Sequence, residues 1–366
     1  MITYIVIAAI KSLVFIHVLL GAVAYTVWLE RKVVGRMQNR WGPTRVGPFG
    51  LLQPIADGVK FILKEDLTPP HVYKPLFILA PALSVVLALT SIAVIPLGNQ
   101  LPLGRWNITL QVTSAPNGAG DINIALLILL GVSSIAVYGI ALAGWSSNNK
   151  YSLLGSLRAS SQMISYELSL GLSLVGVLIL AGSFSLREIV EAQGRPYNTA
   201  HFQWIPSWFP HWYIFPQLIA FFVYLVSAYA ETNRIPFDLP EAETELVAGY
   251  HTEYSAMKFA MFFMAEYANM FTVACVATLL FFGGWHSPLP EFQPSLVKAL
   301  PPLVKALMPL FWFALKIFVF IFVYIWVRGT LPRFRYDQLM AFGWKVLLPL
   351  AIANLVITSL IVAATS

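Results

Sequence analysis

Residues 122–144 read INIALLILLGVSSIAVYGIALAG, a run without a single charged side chain. About 20 predominantly apolar residues are enough for a helix to cross the hydrocarbon core of a bilayer. Seven further stretches have a similar length and composition, at residues 5–29, 76–96, 162–182, 212–230, 257–283, 307–327 and 345–363. The sequence therefore predicts an all-α polytopic membrane protein with eight transmembrane helices in a single membrane domain, 1–366.

The overall composition agrees with a bilayer environment. Of 366 residues, 58% are hydrophobic and only 11% are charged, whereas a soluble domain has about 25% charged residues. The net charge of +6 is typical of a membrane protein whose positive residues are concentrated in the loops on one side. We therefore expect membrane lipid, and no nucleic acid, among its partners.

The distribution of lysine and arginine predicts the orientation. Fifteen of these residues lie in alternate segments, at residues 30–75, 145–161, 231–256 and 328–345, and five lie in the segments between them. Positive residues favour the cytoplasmic side. We therefore expect a multi-pass protein of a bacterial cell inner membrane, or an organellar inner membrane, with both termini on the periplasmic side or its equivalent.

Cysteine usage restricts the redox chemistry that this chain can carry. Its one cysteine, Cys275, cannot form an internal disulfide or hold an iron–sulfur cluster. Of six histidines, only His17 lies within a predicted span, so a haem between the helices is also disfavoured. We expect no metal site and no redox centre on this chain.

The first positive loop, residues 30–75, contains an amphipathic stretch at 51–64. Polar residues follow one stripe of the predicted helix, namely Gln53, Asp57, Lys60 and Lys64. Apolar residues cover the other side, namely Leu52, Ile55, Val59, Ile62 and Leu63. One interpretation is an anchor held by anionic lipid at the membrane surface. The other is that this helix and the first span form the wall of a cavity for a lipid-soluble molecule.

A stiff, basic segment precedes that helix. Arg40 and Arg45 flank a turn rich in glycine and proline, which is too constrained for a flexible tether. Arginines on such a turn suit an acidic surface that docks against them. Contact with lipid phosphate is the alternative.

The loop at 231–256 is acidic although it lies on the positive side. Six acids, namely Glu231, Asp238, Glu241, Glu243, Glu245 and Glu253, stand against one base, Arg234. The loop is either simply solvated or compensated by the first loop, whose net charge is +4. The stiff, partly apolar sequence PFDLP at 236–240 favours the second interpretation.

Two carboxylates fall within predicted spans. Glu167 lies in the fourth span and Glu266 lies near the middle of the sixth. A carboxylate at this depth is costly unless it is protonated, paired or hydrated, so it marks a candidate proton or ion path. Glu231 would extend that path towards the acidic loop. A purely structural pair between Glu266 and Lys316 is the alternative.

Several motifs together resemble a known family. These are Glu30-Arg31-Lys32, GPFGLLQPIADGVK at 47–60, PFDLPEAETEL at 236–246 with Gly249, and ISYE at 164–167. The sequence resembles the H subunit of NADH-quinone oxidoreductase, which is respiratory complex I, and its mitochondrial counterpart, NADH dehydrogenase subunit 1. The resemblance covers essentially the whole chain.

The resemblance implies a subunit of a proton-translocating enzyme, placed where the peripheral and membrane arms meet. Quinone would be the substrate contacted by this chain, while FMN and iron–sulfur clusters would lie on partner subunits. Expected partners are the peripheral-arm quinone-site and iron–sulfur subunits, and the small membrane subunits that lead to the antiporter-like subunits.

The resemblance also implies roles for particular residues. The quinone chamber would include Arg31, Arg40, Arg45, Asp57, Lys60, Phe61, Lys64 and Phe237. The proton or coupling path would include Glu167, Glu231, Asp238, Glu241, Glu243, Glu245, Glu253 and Glu266. The third span departs from the pattern of some relatives because it has no carboxylate.

Two other functions remain open from the sequence. One is the homologous subunit of a membrane-bound hydrogenase-type complex, which would keep the acidic path without a quinone. The other is a stand-alone proton-coupled carrier, which predicts internal symmetry that the sequence does not show. The loop at 183–211 has no functional interpretation.

Overall fold

The computed structural model describes residues 2–98, 100–103, 106–112, 122–194, 210–238, 248–288 and 302–365. The helices are α1 Ile2–Met37, α2 Gln53–Leu63, α3 Lys74–Ala93, α4 Ala125–Ser146, α5 Lys150–Ala181, α6 Leu186–Gln193, α7 Leu218–Glu231, α8 Ala256–Phe281, α9 Pro302–Thr330, α10 Tyr336–Phe342 and α11 Leu348–Thr365. Short 3-10 turns occupy Pro48–Gly50 and Gly249–His251, and a π-helical turn, Gly343–Leu347, joins α10 to α11. An antiparallel hairpin of β1 Gln100–Leu103 and β2 Trp106–Thr109 follows α3.

The prediction of an all-α polytopic membrane protein is confirmed, with one span shorter than expected. Seven helices in the described ranges are long and apolar enough to cross a membrane, counting α10 to α11 as one. The fifth predicted span, 212–230, forms the 14-residue helix α7. At 1.5 Å per residue α7 is about 21 Å long, less than the hydrocarbon thickness of about 30 Å.

Two helices run further than the hydropathy pattern predicts. The α1 helix extends to Met37 and has 36 residues, so it is about 54 Å long and must tilt or project beyond the bilayer. Glu30, which directly follows the predicted first span, therefore lies within α1. The α5 helix begins at Lys150 rather than near residue 162.

Local sequence signals explain several helix boundaries. The side chain of Asn149 caps α5 by accepting a hydrogen bond of 2.9 Å from the backbone N–H of Tyr151. Ser185 caps α6 by accepting from the backbone N–H of Glu188 at 3.2 Å. Gly182 ends α5 with φ +66°, a left-handed conformation that glycine adopts without steric cost.

The packed centre of the molecule lies around α4 and α5. The α4 helix packs between α3 and α5, and α5 also packs against α7 and α11. Gly144 lets α4 approach α5 closely, because a Cβ there would lie 2.0 Å from the Oγ of Ser156. The buried hydroxyl of Tyr166 donates to the carbonyl of Leu339 at 2.8 Å, which fixes α10 against α5. By contrast, α1 is largely exposed at the edge of this bundle.

Candidate functional site

A cavity of about 560 Å³ lies between α1, α2, α8 and α9, and we call it the α1–α2 cavity. Its walls are mostly apolar, and α1, α2 and α8 contribute most of them. Its charged or polar lining residues are Glu30, Arg31, Asp57, Tyr267 and Arg328. A cavity of this size with a few convergent polar groups is typical of a site for an organic ligand.

Polar contacts on both sides of α2 hold this helix as one wall of the cavity. Arg31 on α1 donates through Nη1 to Oδ2 of Asp57 at 2.7 Å, and Gln53 donates to Oδ1 of the same carboxylate at 2.9 Å. After α2, Asp66 pairs with Nζ of Lys258 on α8 at 3.0 Å. These contacts join α2 to both α1 and α8.

The amphipathic character predicted for α2 is present in the structure. The helix covers Gln53–Leu63, close to the predicted 51–64, and none of its residues is buried within the chain. Ile62 and Phe61 line the α1–α2 cavity. Leu63, 80% exposed, and Val59 lie outside that lining, so their apolar side chains require another apolar environment.

Tyr254, which lies two residues before α8 begins, packs against α3 and holds the loop that leads into α8. The ring of Tyr254 stacks on Phe77 of α3 with centroids 4.1 Å apart, and its hydroxyl lies 3.4 Å from the Oγ of Ser146. Burial raises the pKa of Tyr254 to about 12, so this hydroxyl stays neutral at physiological pH.

A second, polar cleft of about 410 Å³ lies beside the first, shares Arg31 with it and includes Gln53 of α2. Arg40 and Arg45 line this cleft, not the α1–α2 cavity. The chain that follows them packs back onto this turn at Gly50, which has φ +77° and where a Cβ would lie 2.2 Å from the carbonyl oxygen of Pro43. The basic turn is therefore compact, as its glycines and prolines predicted.

At the inner end of the α1–α2 cavity four charged side chains form a charge cluster, which consists of Glu30, Arg234, Glu266 and Arg328. Arg328 donates to Oε1 of Glu30, and the hydroxyl of Tyr267 donates to Oε2 of Glu30 at 2.7 Å. Arg234 lies 3.6 Å from Oε2 of Glu30 and 2.5 Å from Oε1 of Glu266. Two acids and two bases balance one another here.

Arg234 is the centre of this cluster. Its side chain is only 7% exposed, and its guanidinium lies over the ring of Tyr267, 3.9 Å from the centroid. A buried guanidinium is tolerated when carboxylates pair with it, and Arg234 contacts both Glu30 and Glu266. It therefore joins the lining of the α1–α2 cavity to the interior of the bundle.

Beyond the charge cluster, Glu266 and Glu231 line the same small cavity, which we call the Glu231 cavity. Its volume of about 30 Å³ is enough for at least one water molecule, which needs about 10–15 Å³ by the same measure. Thr232, Asn233 and Asn269 supply further polar groups. A second cavity of about 30 Å³ is also lined by Glu231 and shares Thr232 and Asn269 with the first.

The remaining described acids of the predicted path lie apart from these cavities. Glu167 on α5 is half-buried and accepts a hydrogen bond from Ser134 on α4. Asp238 is buried and pairs with Arg333 at 3.2 Å. Glu253 accepts from Asn149 at 2.7 Å.

Besides Arg40 and Arg45, three further residues predicted for the chamber do not line the α1–α2 cavity. Lys60 and Lys64 are exposed on the polar face of α2. Phe237 is buried against Tyr166 and Phe334, with ring centroids 6.1 and 5.5 Å away. Glu241, Glu243 and Glu245 lie outside the described residues.

The sequence alone does not indicate that the four residues of the charge cluster lie together. In the sequence, Glu30 is only part of a motif, Arg234 only the single base of the acidic loop and Arg328 only a loop cation. Lys316, considered as a partner for Glu266, instead donates to the carbonyls of Phe282, Gly284 and His286 at 2.6, 2.8 and 2.7 Å. The three protons of its ammonium group are thereby used.

Comparison with known proteins shows the family. Residues 10–359 match the family described as NADH dehydrogenase. The chain belongs to the NADH dehydrogenase family. This match, together with the names of its relatives, confirms the predicted resemblance to the H subunit of NADH-quinone oxidoreductase.

The most informative relatives within the NADH dehydrogenase family are bacterial, and each is named as an H subunit of NADH-quinone oxidoreductase. The relative from Koribacter versatilis is 68% identical, with 98% of each chain covered. The relative from Solibacter usitatus is 48% identical, with 100% of this chain and 98% of the relative covered. The relative from Thermomicrobium roseum is 49% identical over 97% of this chain and 96% of its own.

Proposed function

We propose that this chain is the membrane subunit of a proton-pumping NADH-quinone oxidoreductase that forms the quinone-access chamber and couples quinone reduction to proton translocation. One observation carries the proposal. The charge cluster joins the α1–α2 cavity, lined by Glu30 and Arg328, to the Glu231 cavity, lined by Glu266. The assembly with other complex I subunits follows from the relatives' names.

The α1–α2 cavity is the proposed route for quinone. Its apolar walls suit an isoprenoid tail, and Arg31, Asp57 and the charge cluster offer polar contacts to a head group. Because α1 stands at the edge of the bundle, a lipid-soluble molecule would enter beside it from the membrane. Arg40 and Arg45, in the neighbouring cleft, would brace the entrance against the acidic surface of a peripheral-arm subunit.

The proposed coupling uses competition for the two arginines. Reduction of a quinone adds two electrons and takes up two protons, so negative charge develops near the chamber when the electrons arrive before the protons and lasts until the protons are bound. An anionic quinone species near Arg328 and Arg234 would weaken their pairing with Glu30 and Glu266. A carboxylate that loses its partner in a buried site binds a proton more readily.

From Glu266 the proton would pass through water in the Glu231 cavity to Glu231. Glu167 would continue the path deeper in the membrane, and the acidic loop, with Asp238, Glu241, Glu243, Glu245 and Glu253, would carry the signal at the cytoplasmic surface. Lys60, Lys64 and Phe237 would then support this region from outside the chamber lining.

Electrons would reach the quinone from NADH through FMN and iron–sulfur clusters on partner subunits. The chain would reside in a bacterial inner membrane with both termini on the periplasmic side, as the lysine and arginine distribution indicates. The charge cluster and Glu231 would connect the peripheral-arm subunits to the small membrane subunits next to the antiporter-like ones.

The proposal is tested by Glu266→Gln in the assembled complex, with Glu188→Gln as the matched control on α6. We expect Glu266→Gln to reduce NADH–quinone turnover to about a tenth or less, since proton-transferring groups typically contribute about 100-fold or more. NADH oxidation by an artificial acceptor that bypasses the quinone should be unchanged. Normal quinone turnover in Glu266→Gln would refute the coupling role.

Copurification separates this proposal from the hydrogenase-type alternative. The complex isolated through this chain should contain an NADH-binding flavoprotein. A hydrogenase large subunit in its place would reassign the chain to that class, and isolation of the chain alone would favour a stand-alone carrier.

A further inference from the structure

The hydroxyl group of Ser134 on α4 contacts the carboxylate of Glu167 on α5, and α4 has no carboxylate of its own. The Oγ of Ser134 donates to Oε1 of Glu167. Ser134 lies near the middle of α4, Ala125–Ser146, and Glu167 lies near the middle of α5, Lys150–Ala181. Both helices are long and apolar enough to cross the membrane, so bulk water is not available there to replace a lost hydrogen bond.

Glu167 depends on this hydroxyl group. Within the part of the chain that the structure describes, Glu167 forms no ion pair and accepts no other side-chain hydrogen bond. An ionised carboxylate in a membrane span is costly unless a partner stabilises it, whereas the protonated carboxyl group itself donates one hydrogen bond. The two protonation states of Glu167 therefore need opposite partners, a donor for the ionised form and an acceptor for the protonated form.

The Ser134 hydroxyl also has a second acceptor within reach. Its Oγ lies 2.9 Å from the carbonyl oxygen of Leu130, one turn earlier in α4. A hydroxyl group has a single proton to donate, so Ser134 can donate to Leu130 or to Glu167 but not to both. The hydroxyl therefore has two alternative states, which differ only by rotation of its proton about the Cβ–Oγ bond.

The carbonyl of Leu130 does not need the Ser134 hydroxyl. In the α-helix it accepts the backbone N–H of Ser134, and the Oγ of Ser133 donates to it at 2.9 Å. A carbonyl oxygen has two lone pairs, and these two donors occupy both. Transfer of the Ser134 hydroxyl bond to Glu167 therefore leaves the Leu130 carbonyl fully paired.

We propose that Ser134 is a positioning residue for proton binding and release at Glu167, an inference that rests on the proposed coupling path. While Glu167 is ionised, Ser134 donates to its carboxylate. When Glu167 binds a proton, its O–H donates to the Oγ of Ser134, and the Ser134 proton turns to the carbonyl of Leu130. Ser134 neither gains nor loses a proton. It stabilises both states of Glu167 without water and without movement of either helix.

The inference is tested by Ser134→Ala in the assembled complex. We expect NADH–quinone turnover to fall about tenfold, the effect of one lost hydrogen bond to a charged group. The KM for quinone should be unchanged, because Ser134 does not line the α1–α2 cavity. Ser134→Thr keeps the hydroxyl at an exposed position and should retain near wild-type turnover.

Ser359→Ala is the matched control for this experiment. Ser359 is an exposed serine on α11 whose Oγ donates to the carbonyl of Val356 at 2.8 Å, so it makes the same kind of bond to its own helix without a carboxylate beside it. This variant should keep wild-type turnover. Wild-type turnover in Ser134→Ala, or a loss in Ser134→Thr equal to that in Ser134→Ala, would overturn the inference.

Glu167→Gln separates this inference from the proposed function. If Glu167→Gln lowers turnover and Ser134→Ala does not, the role of Ser134 fails while the path through Glu167 stands. If Glu167→Gln has wild-type turnover, the path itself fails at Glu167 and the role of Ser134 fails with it. In the double variant, Ser134→Ala should cause no further loss. An additional tenfold loss would mean that Ser134 acts elsewhere.

A measurement without turnover tests the hydrogen bond itself. Infrared difference spectra of the complex between acidic and alkaline buffer should contain a carboxyl C=O band that Glu167→Gln removes. Ser134→Ala should move this band to higher wavenumber, because the carboxyl group has lost a hydrogen-bond partner, and Ser134→Thr should leave it in place. An unmoved band in Ser134→Ala would contradict the inference whatever the rate of turnover.

Discussion

Among single residues, Arg234 links the two carboxylates of the charge cluster. It bridges the carboxylates of Glu30 and Glu266 at 3.6 and 2.5 Å while its guanidinium lies over Tyr267. Only a planar, forked cation can make these contacts together, since the ammonium group of lysine is a compact charge without a face to stack. We therefore expect the bridge to depend on arginine and not simply on positive charge.

This dependence is tested by Arg234→Lys, which keeps the charge but cannot span both carboxylates. We expect quinone-dependent turnover to fall about tenfold or more, the equivalent of one charge-assisted hydrogen bond. The measurement is NADH–quinone activity of the purified complex. Arg335→Lys serves as the matched control, because Arg335 forms an exposed pair with Asp337; equal activity of the two variants would contradict the bridge.

Substitution of Asp57 tests whether α2 forms a wall of the proposed quinone chamber. Asp57→Ala removes the acceptor of both Arg31 and Gln53, so α2 should be held less firmly and the apparent KM for quinone should rise. The pair with Arg31 is partly exposed, so we expect about two- to fivefold, within the range for such pairs. Glu65→Ala, at an exposed position just after α2, should leave KM unchanged; the same KM in both would contradict the assigned position.

At the scale of the elements, hydropathy predicted most of the fold but misplaced some ends. It treats a charged residue as a sign that a span has finished, and so it ended the first span at residue 29. The α1 helix nevertheless continues, because Glu30 is paired with Arg328 and Arg234 from distant parts of the chain. Such pairing depends on tertiary structure and cannot be read from a local window.

For the amphipathic helix α2, by contrast, the sequence predicted the ends of the helix accurately. Its period was visible in the sequence, and α2 differs from the prediction by only one or two residues at each end. The pattern alone left open whether the helix anchors the chain to lipid or lines a cavity. The structure places Asp57 and Phe61 at the α1–α2 cavity, a result that needed the position of α8.

The close contact of α4 with α5 gives a prediction about stability. Gly144→Ala would place a Cβ 2.0 Å from Ser156 Oγ and 2.6 Å from the carbonyl oxygen of Ser152. We expect this overpacking to cost about 1–3 kcal/mol and to lower the Tm of the isolated complex.

Gly171→Ala is the control for that experiment. Gly171 lies within α5, and a Cβ there would meet nothing within 4 Å. Alanine is a better helix former than glycine by about 1 kcal/mol, so this variant should keep or raise the Tm. If both alanine variants had the same Tm, the close approach of α4 and α5 would not limit stability.

At the scale of the whole molecule, charged residues from distant parts of the sequence lie next to one another in the folded chain. The α1–α2 cavity, the charge cluster and the Glu231 cavity follow one another from the edge of the bundle to its interior. Glu231 and Glu266 could be chosen from the sequence as acids in or near apolar helices. Their connection through Arg234 to Glu30 could not, because these residues are separated by up to 236 positions along the chain.

The most direct test of this connection is proton translocation by Glu231→Gln in proteoliposomes. Glu231 lies outside the α1–α2 cavity, so we expect an unchanged KM for quinone and unchanged NADH oxidation by an artificial acceptor. Quinone turnover and proton translocation should fall together, to about a tenth of wild type or less, as expected for a lost proton-transfer group. Wild-type rates of both in Glu231→Gln would contradict the account.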